Sequence, residues 1–357
     1  MSSPQTAPAP APAAAPSLGL TEWLIIVIAS IGFLFDTYEL LMTPLVAAPA
    51  IAQRARVMRF GSPTPVDTTY HQAAVKFADY VNKESGGKMK IEVFPAGQLG
   101  TIKEMLTNVQ LGTQAFAIAV PAWYSNFVKP MDVFTLPYIV GSPAKLRTAV
   151  DGAFGAKMKG LLEAQEFKIP GTWLIGGRHI VNAARPVRSP ADMQGMKLRV
   201  IGSQVYIESF RALGASPIAL DPSEIYLAIQ QKVVDGMEFP MPDLVAMKLF
   251  EVIKYITFDA HVTDIFFVSM NKGLWNSMGK EEQGIIDAGM KLASDWQWRA
   301  QPQAIEEATA KLKGVVQMFD LTAAERQAFV DATRPVYAKF EGSIGKDIID
   351  EAIKTMS

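Results

Sequence analysis

Cysteine is absent from this 357-residue chain. That excludes disulfides, thiolate nucleophiles and cysteine-based zinc sites, and it is compatible with an oxidising compartment. Histidine is scarce. His71, His179 and His261 stand too far apart in the sequence to show ligand spacing, so each reads as an ordinary packed or surface side chain and no metal site is expected. An excess of one charge is also missing, with 34 Lys and Arg against 35 Asp and Glu, a balance that leaves no nucleic-acid footprint. There is no phosphate loop of the form G-x-x-x-x-G-K-[ST], no G-x-S-x-G elbow and no cluster of histidine with carboxylates. With no nucleophile-and-base pair in view, neither catalysis nor a cofactor is expected. No internal repeat is present either.

What the chain does contain is a globular composition, 49% hydrophobic and 19% charged, and enough length for two lobes with their own cores. Residues 1–18 are rich in proline and alanine and read as a tail. Two apolar runs come next, Trp23–Phe35 and Leu40–Ala52, separated by Asp36-Thr37-Tyr38-Glu39. The second ends in Ala50-Ile51-Ala52, which has the form of a signal-cleavage site, although the basic opening of a secretory signal is missing. A span of about 20 apolar residues would enclose two carboxylates. Residues 1–52 are therefore expected to be a tail plus a hydrophobic leader, or an inner-membrane anchor over residues 19–51, with the folded part at 53–357. Gly32–Glu39 resembles the first membrane helix of major-facilitator transporters, over that one helix only. Arg54, Arg56 and Arg59, placed directly after an anchor, would oppose export of the chain beyond them.

From Val57 onward the hydrophobic period switches between strand and helix. Val57–Phe60 reads as a short strand. Ala74, Phe77, Ala78 and Val81 recur at i, i+3, i+4, i+7 and predict a helix stopped by Gly86-Gly87. Met89, Ile91 and Val93 alternate with Lys88, Lys90 and Glu92, a half-buried strand. Further strands are predicted at Ala115–Val120, Thr172–Ile175, Met196–Ile201 and Val234–Phe239. Capping boxes at Thr101/Glu104, Ser189/Asp192 and Asp221/Glu224 mark helix starts, the last two with proline at the first helical position. Lys280–Val315 has a helical pattern of about 54 Å at 1.5 Å per residue, with a kink expected at Pro302. A helix of that length should run along both lobes. The expected fold class is α/β in two lobes.

Two arginines carry the functional reading: Arg178 in Gly177-Arg178-His179 and Arg199 in Lys197-Leu198-Arg199-Val200. Downstream stands Val234-Asp235-Gly236-Met237-Glu238. A guanidinium is a planar fork of donors that matches a carboxylate, and two converging on one cleft would bind an organic acid. Taken alone, Arg199 on an alternating strand also reads as a solvent-facing charge. Trp123 and Tyr124 come after a predicted strand where a loop over a cleft would begin; there they could stack on a ligand or pack in the core.

A series of fragments in order gives these residues a context. They are Phe94-Pro95-Ala96-Gly97-Gln98-Leu99-Gly100, Leu136-Pro137-Tyr138, Gly177-Arg178, Ala191 to Val200, Gly214-Ala215-Ser216-Pro217, Ser223 to Gln230 and Val234 to Glu238. From about Val57 to the C-terminus the chain resembles the dicarboxylate-type substrate-binding proteins of tripartite ATP-independent periplasmic (TRAP) transporters. The resemblance implies a two-lobed periplasmic binding protein-like fold with crossing strands and a long lobe-spanning helix. Lobe I would take about 55–176 and 265–304, lobe II about 177–264 and 305–340. It implies that Arg199 pairs with the ligand carboxylate, that Arg178 assists (with Arg185 and Arg188 as alternative charges) and that Phe239 lines the pocket. Trp123 and Glu238 complete the candidate site, Glu238 more as a hydrogen-bond partner within its lobe than as a ligand contact. Phe239, Val120 and Pro222 depart from the sialic-acid type, which carries Asn, Glu and Phe there, so sialic acid is not expected. The apolar wall favours a hydrocarbon or aromatic body over a polyol. The implied function is a periplasmic receptor that closes on a carboxylate and delivers it to small and large membrane subunits. A sensor domain reporting to a signalling partner, or an enzyme on the same scaffold, are the alternatives.

Overall fold

The computed structural model describes residues 19–32 and 55–357. The chain divides into two units, Met1–Arg54 and Ala55–Ser357. In the first, residues 20–32 are helical. Among the described residues no helix is long and apolar enough to cross a membrane. The expected anchor thus gains no support there, and its remainder, 33–51, lies outside the described residues, as do the leader's cleavage site and Arg54. Arg56 and Arg59 belong to the second unit's own fabric. Arg56 pairs with Glu282 at 3.4 Å, and Arg59 donates to the Thr113 carbonyl at 2.6 Å.

The second unit is built on one nine-stranded sheet. Its strands are β1 (Arg56–Gly61), β2 (Met89–Phe94), β3 (Phe116–Ala119), β4 (Phe167–Asn182), β5 (Lys197–Val200), β6 (Ser216–Ala219), β7 (Gly236–Pro240), β8 (Tyr255–Asn271) and β9 (Gln317–Asp320). They lie in the order β2-β1-β3-β8-β4-β7-β5-β6, with β9 pairing β8. β1, β2 and β3 are mutually parallel, as are β5, β6 and β7, because each return passes through a crossover. The helix Thr69–Glu84 between β1 and β2 buries Tyr70, Ala73, Ala74, Phe77, Ala78 and Val81 on one face. This is the predicted stripe, widened by one turn. Thr68 caps it by accepting from the His71 amide at 3.3 Å.

β4 and β8 make this a two-lobed molecule. Each is 16 or 17 residues long, and they run antiparallel through the middle of the sheet. One end of the pair borders β3; the other borders β7 and β9. Their register slips three times, between Lys168 and Gly171, between Leu174 and Gly176 and between Arg178 and Ile180. Gly176 sits at φ +102° and Ala260 at φ +45°, conformations that turn a strand. Arg178 lies between the last two slips.

The helix Lys280–Leu312 has 33 residues, about 50 Å, and carries Pro302 inside it as expected. It packs on Thr69–Glu84, on β4 and on Met241–Ala246. Gln297 and Gln301, both wholly buried, tie it to the bent part of β4. Gln297 accepts from the Leu174 amide and donates to the Leu174 carbonyl, both at 2.7 Å, and Gln301 donates to the Ile175 carbonyl at 2.8 Å. These bonds satisfy buried backbone groups beside a break in the ladder, where a lost partner would cost about 1–3 kcal/mol.

The core begins where Phe60 stacks on Phe116 and Trp173 at 5.8 and 5.9 Å. It continues through Phe134, Phe154 and Phe267. Beyond the cleft, Val181, Ile229, Met237, Leu244 and Ile256 form another cluster. All three expected capping boxes form, and a fourth, Thr322/Glu325, joins them. Two of them open only short 3-10 turns, Pro190–Met193 and Pro222–Glu224. The expected Thr172–Ile175 strand is part of the much longer β4, and β6, β8 and β9 were not anticipated.

Candidate ligand-binding cleft

Four of the five candidate residues line one cleft, although they come from distant parts of the chain. Arg178 stands on β4, Arg199 on β5, Phe239 on β7, and Trp123 on the short helix Pro121–Tyr124 after β3. The cleft offers about 490 Å³ of space between atoms, part of it open to solvent, and its wall includes Ile102, Val120, Ile175, Pro222 and Phe266. Most wall positions are apolar. The polar ones are Thr64, Arg178, Arg199 and Asp243.

Arg199 is not a solvent-facing charge. It is 0% exposed, on a strand paired along both edges, with β6 and β7, and buried over Leu198–Val200. Its Nε and Nη2 both donate to the Leu220 carbonyl, at 2.9 and 2.8 Å. One edge of the fork is thereby fixed. Nη1 has no hydrogen-bond partner among the described residues and lies 3.6 Å from Glu238 Oε1. Burial, which penalises the charged form, lowers the Arg199 pKa to about 10, and this still leaves the group cationic at neutral pH.

Arg178 is differently placed. Its Nε donates to Glu238 Oε2, Nη2 donates to Glu238 Oε1 at 3.0 Å and to the Glu238 carbonyl at 3.3 Å, and Nη1 donates to Asp264 Oδ2 at 3.3 Å. Most of its donors are thus taken by the protein itself. The Phe239 and Tyr206 rings lie 5.9 and 5.8 Å from its guanidinium carbon, within cation–π range. Glu238 is wholly buried and is not on the cleft wall. It sits behind the arginines as their counter-ion, although burial opposes its charge. Arg178, His261 and Arg199 outweigh that cost and hold its pKa at about 2. Arg185 and Arg188 are spent elsewhere, Arg185 on the Asp192 and Gln194 carbonyls and Arg188 on Glu325 at 2.7 Å.

Three residues of this assembly escaped sequence reasoning. His261 on β8 shares a hydrogen bond of 2.8 Å between its Nδ1 and Asp259, and its Nε2 lies 3.7 Å from Glu238, beyond a hydrogen bond but close for a charge. Burial would lower its pKa, yet Asp259 and Glu238 raise it to about 9. Asp264, also on β8, is held by Arg178, and burial raises its pKa to about 6. Asp243, one turn after Phe239, is 5% exposed and faces the cleft. The only sequence signal for any of them was a carboxylate or histidine inside an otherwise apolar run.

Known proteins share this architecture. The family model described as bacterial extracellular solute-binding protein, family 7, matches residues 60–343. The C4-dicarboxylate-binding periplasmic protein DctP of Rhodobacter capsulatus is 30% identical over 306 residues, covering 85% of this chain and 91% of that protein. The 2,3-diketo-L-gulonate-binding periplasmic protein YiaO of Escherichia coli K12 is 28% identical, covering 83% of this chain and 90% of the other. Among solved structures, the sugar acid binding protein DctPAm of Advenella mimigardefordensis, in complex with galactonate, superposes with a TM-score of 0.83 at 27% identity. It covers 85% of this chain and 98% of its own.

Proposed function

We propose that this chain, which belongs to the family-7 bacterial extracellular solute-binding proteins, binds its organic acid by laying the ligand carboxylate on the free edge of Arg199. It is a periplasmic solute receptor of the TRAP type, and it hands its ligand to the membrane permease subunits of such a transporter. The observation that carries the arginine assignment is that Arg199 lines the cleft and its buried Nη1 has no hydrogen-bond partner among the described residues. A buried donor without an acceptor costs about 1–3 kcal/mol or more when charged. A ligand oxygen removes that cost, and charge-assisted bonds of this kind are the strong ones.

Arg178 acts as an assistant. Glu238 and Asp264 hold it in place, and they leave it little beyond one Nη1 hydrogen for a ligand. Phe239 and Trp123 form the apolar wall against which the ligand body rests. Glu238 contributes by orienting both guanidiniums without touching the ligand. The lobes, with boundaries near 176/177 and 264/265, close by bending β4 and β8 at their slipped register, and the ligand favours the closed state by touching both sides. The test is a thermal-shift panel of carboxylates on the full chain. Ligand at about 100 times its Kd adds about 2.7 kcal/mol of stability. Stabilisation by one or more acids is the expected result, and silence across mono- and dicarboxylates alike would sink the reading.

A further inference from the structure

We propose that Asp243 decides which acids this cleft accepts: its carboxylate takes a hydrogen bond from a ligand hydroxyl, so hydroxy acids are selected over the same acids lacking that hydroxyl. The inference rests on the carboxylate being held at Arg199. Asp243 is carried on the helix Met241–Ala246, directly after β7, and shares the cleft wall with Arg199, Arg178 and Phe239. Its Oδ2 accepts from the Tyr70 hydroxyl at 3.2 Å. Gln301 donates to that hydroxyl oxygen at 2.8 Å, which aims the Tyr70 proton at Asp243. Tyr70 is the one side-chain donor to this carboxylate among the described residues, beside Asp243's own backbone amide.

Apart from Thr64 and the weakly accepting Met247 sulfur, no other side chain on the wall accepts a hydrogen bond, because Arg178, Arg199 and the Trp123 indole only donate. The Thr64 hydroxyl is already engaged with those of Ser62 and Thr68, at 2.8 and 3.3 Å. Ile102, Val120, Ile175, Phe239 and Phe266 offer carbon only. An acid with a plain hydrocarbon body would therefore press carbon against a buried carboxylate and strip it of water without return. A hydroxyl supplies the missing donor. An ammonium would supply one as well, but it would enter a cleft already holding two guanidiniums, with Arg178 acting electrostatically on Asp243 itself. A neutral hydroxyl meets no such repulsion. Sites that hydrogen-bond a substrate hydroxyl reject the analogue lacking it strongly, because their own polar group is left unpaired.

Isothermal titration of the full chain with matched pairs tests this: lactate and propionate, 3-hydroxybutyrate and butyrate, mandelate and phenylacetate, with alanine and phenylglycine as the ammonium arm. In the wild type, at least one hydroxy acid should bind about 30-fold or more tighter than its partner. In Asp243→Leu that ratio should fall below about threefold. Asp243→Asn, which keeps an accepting oxygen, should retain part of it, as should Tyr70→Phe, which leaves Asp243 in place. The last two variants carry the test should the leucine variant not fold. Equal binding within every pair, an undiminished ratio in Asp243→Leu, or tighter binding of the amino acids would each overturn the proposal. If the pairs bind alike while Arg199→Lys weakens both members, only the role of Asp243 fails. If no acid binds, the carboxylate-receptor reading falls with it.

Discussion

Replacing Arg199 by lysine separates the two edges of its guanidinium. In the native cleft one edge holds the Leu220 carbonyl through Nε and Nη2, at 2.9 and 2.8 Å, while Nη1 stays free. An ammonium is a single point with three donors and cannot serve a carbonyl and a ligand on opposite sides of a plane. The variant therefore loses about one charge-assisted hydrogen bond, roughly 1.5–3 kcal/mol. At 1.36 kcal/mol per decade the expected loss of affinity is about 10- to 150-fold. The charge is kept, so long-range attraction of the anion should not change, and the loss should appear mainly as faster dissociation. Titration calorimetry and stopped-flow fluorescence of the cleft tryptophan, with whichever acid gives the largest thermal shift, would read both quantities. A ligand-free melt serves as control, since the Leu220 carbonyl loses only about 1 kcal/mol of support. A Kd within threefold of wild type, in a protein with a normal melt, would refute the assignment of Nη1 to the ligand.

The cluster behind the cleft offers two more perturbations. Arg178→Met should destabilise the protein by about 3–5 kcal/mol, because it leaves Glu238 and Asp264 buried without their cation. Adding Glu238→Gln should restore part of that in urea denaturation, and a double variant no better than the single would contradict the counter-ion role. His261 has a folded pKa raised from 6.5 to about 9. Its contribution to stability is accordingly complete below about pH 6.5 and is lost as pH rises through 9. The shift corresponds to something on the order of 3 kcal/mol. The melting temperature of the wild type should fall across that window, whereas that of His261→Gln should be flatter, and parallel curves would rule the coupling out.

Local rules made part of this molecule legible. The stripe Ala74, Phe77, Ala78, Val81 and the capping boxes are short-range devices, each specified within one or two turns of chain, and all formed. The long strands were harder to read. β8 carries Asp259, His261 and Asp264 within a run buried on both faces, so neither clean alternation nor a continuous apolar stretch marks it. β4 breaks its own period at three register slips. The irregular stretch of β4 carries Ile175 and Arg178 to the cleft wall, and Asp264 and His261 of β8 stand behind it beside Arg178 and Glu238.

The sequence by itself determined the helical and strand periods, the absence of thiol chemistry, and the order of fragments that marks a TRAP receptor. It also singled out Arg178, Arg199, Phe239 and Trp123, which do meet on one wall. Only the tertiary structure decided how the two arginines differ. Whether a buried guanidinium is spent or free depends on which acceptors other strands bring within about 3 Å, and residues 21 to 86 positions away supply them here. Glu238 and Asp264 claim Arg178, the Leu220 carbonyl claims one edge of Arg199, and Arg199 Nη1 keeps no hydrogen-bond partner among the described residues.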